Sequence, residues 1–143
     1  ILSVFNNDNS VVVFDVGGDD DGALALGQYK QYFDKYGYEM HFIVNTKRPL
    51  TRTNDELIEI AERIESASRL KFTDIYNNTN LSDQTDGTTL FSGYDEIKML
   101  SKKMGIAITK NCGIDRALSN VPTNLKDTVF RMNICILRPW EIQ

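Results

Sequence analysis

Apolar and polar positions fall into blocks along the chain, and the period of those blocks switches between strand-like and helix-like. Residues 11–16, Val-Val-Val-Phe-Asp-Val, are an apolar run broken by one carboxylate. A run without alternation predicts a strand buried on both faces. Leu26, Tyr29, Phe33 and Tyr36 then recur at three- and four-residue steps, which predicts a helix over 23–36 that stops at Gly37. Met40, Phe42, Ile43 and Val44 mark a second strand over 39–45, followed by the polar loop 45–49. Thr53 and Glu56 have the spacing of a capping box, and Leu57, Ile60, Ala61, Ile64 and Ala67 continue it as an amphipathic helix. Residues 70–76 predict a third strand and 77–87 a long polar loop. Leu90, Tyr94, Ile97, Leu100 and Met104 predict a helix ending at Gly105, and 106–109 a short fourth strand. Helical turns are expected at 114–118 and 122–127, and a fifth strand at 129–137, ahead of a tail at 138–140. Before the first strand, residues 1–5 are apolar and 6–10 form a cluster of loop-favouring polar residues.

Strands recur about every 25 to 35 residues with helices between them, the size of a βαβ unit. The expected fold is therefore α/β, with a mostly parallel sheet flanked by helices on both faces. No linker or repeat divides residues 1–143, so one domain is expected. At 143 residues, 41% apolar and 25% charged, the chain is long enough to bury a substantial core. A net charge of −4 argues against a surface that coats nucleic acid generally. No apolar run reaches the length of a membrane span and no signal-peptide pattern opens the chain, so a cytoplasmic location is expected. Two cysteines and one histidine are too few for a disulfide framework or a Cys/His zinc site. Cys112 and Cys135 are expected to be reduced and at or near the core, and His41 to be packed or half-exposed. The chain does not start with Met and leads directly into a buried strand, from which a preceding part is expected.

The candidate chemistry lies where strands end. In open α/β sheets, ligands bind outside the carboxyl ends of the strands. Three loops are expected on that rim: 15–22, 45–52 and 77–86. Asp15, followed by Gly17 and Gly18, is the arrangement in which a carboxylate holds a Mg²⁺-bound water beside a phosphate, because Mg²⁺ takes one or two carboxylates and keeps its waters. The plainer alternative is that Asp15 caps a turn and Asp19, Asp20 and Asp21 begin a solvated helix. Lys47, Arg48 and Arg52 place positive charge on the second loop, either toward phosphates or simply in solvent. Asn77 and Asn78 offer paired donor and acceptor groups to a base edge, or form an Asx turn. No G-x-x-x-x-G-K-[ST] or G-x-G-x-x-G motif is present, and Gly17 to Gly22 lacks the alternating ligands of an EF-hand.

Taken together, Val12 to Ala23, the segment Val44-Asn45-Thr46-Lys47-Arg48-Pro49-Leu50-Thr51, and Asn77-Asn78-Thr79-Asn80-Leu81 resemble the later part of bacterial ParA/MinD-type P-loop ATPases. The resemblance runs from about Val11 to Trp140. It implies an incomplete P-loop NTPase-like domain that binds ATP and Mg²⁺. Asp15 would be the Walker B aspartate at the metal, with Gly17 and Gly18 in the switch turn. Asn77 or Asn78 would contact adenine, and Arg116 would flank the base. The family's lysine-bearing phosphate loop is missing from this sequence, so hydrolysis is not expected of these residues alone. The strand that carries that loop would lie between residues 11–16 and 39–45. Its absence leaves these two to pair directly or to face a gap, relieved by a missing N-terminal region, a partner strand or homodimerisation. The rival reading is a non-catalytic α/β interaction module that lacks the phosphate loop. A flavodoxin-like domain is weaker, because no Ser/Thr/Gly-rich loop follows the first strand.

Overall fold

The computed structural model describes residues 11–135. The expectations for 1–10, for the end of the fifth strand and for the tail at 138–140 lie outside the described residues. Within them the elements run α1 (Asp20–Gly27), α2 (Lys30–Tyr36), β1 (His41–Val44), α3 (Asn54–Ser68), β2 (Asp74–Asn77), α4 (Gly87–Phe91), α5 (Tyr94–Met104), β3 (Ala107–Gly113), α6 (Asp115–Leu118) and β4 (Val129–Arg131). Short 3₁₀ turns occupy Ser82–Gln84 and Thr123–Thr128. The strands form one sheet in the order β1-β2-β3-β4, and every pairing is parallel. The α/β class with a helix-flanked parallel sheet is therefore what the sequence pattern predicts, although the core formed by α3 and α5 lies on one face and not on both. No helix of the described residues is long and apolar enough to cross a membrane.

Each crossover steps one strand in the same direction. Right-handed crossovers of that kind place their helices side by side on one face, and α3 packs against α5. Phe42, Val44 and Ile75 bury beneath them with Leu57, Ala61, Ile64, Ile97 and Leu100. The opposite face carries His41, Ile43, Asp74 and Tyr76, and Ile43 is 52% exposed there. α3 begins with the expected box: Thr53 accepts from Glu56 N, and the Glu56 carboxylate accepts from Thr53 N. α1 packs against α3 and contributes Ala23 to the same core. A Cβ on Gly27 would lie 2.9 Å from the Ala67 carbonyl oxygen, so glycine permits that close approach.

Several expected elements differ, each for a physical reason. The single helix over 23–36 is two helices, broken around Gln28 and Tyr29, because α1 turns its face toward α3 while α2 packs Phe33 against Phe14 and Tyr38. The third helix is likewise split into α4 and α5 at Gly93. β3 runs on to Gly113, four residues past the expected end, because Asn111, Cys112 and Gly113 have β4 to pair with. β4 is shorter than expected and ends at Arg131.

The largest correction concerns residues 11–16. They form no strand in the sheet, and Val11 and Val13 are 94% and 85% exposed. β1 pairs only with β2, so the edge that would neighbour such a strand is open among the described residues. An apolar run records a capacity for burial, whereas a strand also needs a partner for its N–H and C=O groups. The direct pairing of 11–16 with the second strand, one of the two outcomes expected, does not occur. Cys112 is buried as expected, but Cys135 is exposed, and both are free thiols.

Candidate functional site

Two of the three expected rim loops are bonded to each other at the carboxyl ends of β1 and β2. Asn45, just past β1, donates from Nδ2 to the Asn80 carbonyl (3.1 Å) and accepts at Oδ1 from Asn80 N (3.2 Å) and Lys47 N (2.9 Å). Thr46 N donates to Thr79 Oγ1 (3.3 Å), and the two hydroxyls lie 3.2 Å apart. Asn78 N donates to the Val44 carbonyl at 2.8 Å, so the parallel pairing continues one residue beyond the strands. Gly93 seals this corner. A Cβ there would fall 2.1 Å from Thr46 Oγ1, so only glycine lets the start of α5 approach the loop.

Beneath the rim, two buried amides link β2 to β3 and, through Thr128, to the 3₁₀ turn that precedes β4. Asn77 Nδ2 donates to the Leu90 carbonyl (3.1 Å) and to Asn111 Oδ1 (3.0 Å), while its Oδ1 accepts from Thr79 N (3.1 Å). Asn111 Nδ2 donates to Thr128 Oγ1 (2.7 Å), which donates to the Leu125 carbonyl (2.7 Å). Asn77 and Asn111 are both fully buried. Every polar group of Asn77 is committed internally, so this side chain ties the ends of β2 and β3 together. Asn78 is half-buried, and its one side-chain contact in the rim is a long 3.4 Å approach from Asn80 Nδ2.

The remaining candidates fall in two places. Arg116, on α6, is exposed and reaches the Asp83 carbonyl at 3.4 Å, which puts it over the loop that follows β2. The same loop ends at Asp86, the N-cap of α4. The backbone N–H of Thr89, donating at 2.7 Å, holds its carboxyl below the ordinary range, with the Arg116 charge contributing in the same direction. Lys47, Arg48 and Arg52 are exposed on the loop that follows β1. Asp15, Gly17 and Gly18 lie elsewhere, in the exposed segment outside the sheet. Neither glycine has a positive φ. The acidic run starts α1, with Asp19 as its N-cap accepting from Gly22 N at 2.9 Å.

Asn111 and Thr128 escape sequence reasoning because a polar residue near a strand end resembles a loop residue until its buried partner is known. The Asx turn of Asn77 with Thr79 is the one local sign that this amide serves the backbone. Comparison with protein-family models, curated proteins and solved structures returned no match. The class defined by the fold and the rim is thus an all-parallel α/β domain with a rigid, amide-rich ledge at its strand ends.

The sequence resemblance implies an adenine nucleotide, against which the residues of the rim can be compared. The ledge offers the half-buried Asn78 amide, and α6 carries the exposed Arg116 guanidinium over the following loop, groups of the kinds that meet a base edge and a base face. Asp15, in the exposed segment outside the sheet, is not brought to this ledge. No group of three His, Cys, Asp or Glu side chains that could hold a metal by itself exists among the described residues. Nothing in the sequence supplies a phosphate cradle, so these residues alone do not fit a triphosphate.

Proposed function

We propose that the chain is the nucleotide-binding α/β segment of a ParA/MinD-like ATPase. Asn78 and Arg116 would hold the base of ATP, and Asp15 would serve the Mg²⁺ side. The observation that carries this reading is the bonding of the β1 and β2 loops into one ledge at the carboxyl ends of an all-parallel sheet, where ligands of such sheets bind. Phosphate recognition must come from outside these residues. The strand that brings it would pair with the open edge of β1, and residues 11–16, with Asp15 at their end, would join the sheet beyond it. This chain's part is to present the base contact and one carboxylate; bond cleavage is not assigned to it.

The test is titration of a fluorescent ATP analogue, with and without Mg²⁺, into the natural protein. Binding should require Mg²⁺ and weaken at least tenfold, about 1.4 kcal/mol, in both Asp15→Ala and Asn78→Ala. No binding, or binding indifferent to both changes, refutes the reading. The second reading, a non-catalytic interaction module, is favoured by the exposed Val11 and Val13 and by the open edge of β1 among the described residues. It is the one left if nucleotide does not bind.

A further inference from the structure

The sheet face turned away from α3 and α5 carries a polar cluster that the ledge does not use. His41 on β1 is the register partner of Asp74 on β2, and His41 Nδ1 lies 2.9 Å from Asp74 Oδ1. Two hydroxyls hold the carboxylate in place. Thr109 donates to Oδ1 at 3.1 Å, and the single Thr73 hydroxyl proton is shared between Oδ2 at 3.1 Å and the Met40 carbonyl at 3.2 Å. The register shift in the β2–β3 pairing leaves Thr109 as the extra residue on β3, beside Asp74. A carboxylate only accepts, so Nδ1 carries the ring proton and donates it. Tyr76 stacks on the imidazole at 4.5 Å and 21°, which sets the ring plane. Nε2 faces outward, 3.6 Å from Glu39 Oε2. With Nδ1 protonated and the ring neutral these are two acceptors face to face, and either a proton on Nε2 or a metal ion between them turns that approach into attraction.

We propose that His41 Nε2 and the Glu39 carboxylate are the protein half of a binding site for a divalent transition-metal ion of the zinc class, with Asp74 as its positioning residue. Ligand bonds of about 2.0–2.2 Å to two atoms this far apart subtend roughly 120°, close to a tetrahedral angle. A metal-bound histidine ordinarily donates its other ring N–H to a carboxylate, which fixes the tautomer and raises the basicity of the ligating nitrogen. Asp74, itself held by Thr73 and Thr109, meets that requirement before any ion arrives. Imidazole with one carboxylate suits zinc, copper or nickel better than Mg²⁺ or Ca²⁺, which prefer all-oxygen shells. Water completes the coordination, consistent with Glu39 being 79% exposed. The site lies on the sheet face, away from the ledge, and stands independently of the nucleotide reading.

The chain has one histidine, so its imidazole proton signals report on this site alone. The experiment is an NMR titration of the chain with Zn²⁺ in a Cys135→Ser background, which removes the exposed thiol as a competing ligand. Zn²⁺ should shift or broaden the His41 signals saturably, and Mg²⁺ should not. Glu39→Gln, at an exposed position that leaves the fold intact, should weaken binding at least fivefold. Asp74→Asn should weaken it about 10- to 100-fold. His41 signals that ignore millimolar Zn²⁺, an equal response to Mg²⁺, or unchanged affinity in Glu39→Gln would each overturn the proposal.

Discussion

Replacing Asn77 by Ala removes the centre of the buried amide chain. Three hydrogen bonds are lost: two donated to the Leu90 carbonyl and Asn111 Oδ1, and one accepted from Thr79 N. Leu90, Thr79 and Asn111 are fully buried, so the three orphaned groups cannot turn to bulk water. An unsatisfied buried polar group costs about 1–3 kcal/mol. Water entering the space left by the amide recovers part of that, which leaves a loss of about 4 kcal/mol. For a domain of this size, that lowers Tm by roughly 8–16 °C. Asn78→Ala is the control, since its side chain makes only the 3.4 Å contact and its backbone bond to Val44 survives. It should cost no more than about 0.5 kcal/mol. Urea unfolding followed by circular dichroism measures both. If Asn77→Ala costs under about 1 kcal/mol, or if the two variants are equally destabilised, then the amide chain does not hold the strand ends together.

Three further outcomes follow from the geometry. Gly93→Ala forces a methyl against Thr46 and should cost about 2–3 kcal/mol, with a favourable coupling of at least about 1 kcal/mol when combined with Thr46→Gly in a double-mutant cycle. Glu56 and Asp86 have folded-state pKa values below their ordinary ones, chiefly because they accept backbone N–H groups of Thr53 and Thr89. Their contribution is therefore complete above the ordinary carboxylate range and is lost as pH falls through the folded values. Stability measured downward from pH 5 should decline, and less steeply in Glu56→Gln and Asp86→Asn. Burial pushes the Cys112 thiol up to about 11, whereas Cys135 is exposed, so a thiol reagent at neutral pH should label one cysteine quickly, and Cys135→Ser should abolish that fast phase.

The sequence by itself determined the alternation of β and α, and with it a parallel helix-flanked sheet, because period and spacing are local properties of the chain. It also determined the start of α3: Thr53 and Glu56 need only each other and the backbone between them. The two loops after β1 and β2 were placed on one rim because all parallel strands point the same way. Only the tertiary structure decided which amide on that rim is free. Asn77 and Asn78 are adjacent and chemically identical, and they are distinguished by Leu90 and Asn111, which lie 13 and 34 residues away. The dyad of His41 and Asp74 was hidden for the same reason, since strand register brings together residues that no local pattern links. Residues 11–16 show the converse: an apolar run declares that it can be buried, but whether it becomes a strand depends on a neighbouring backbone that the run does not contain.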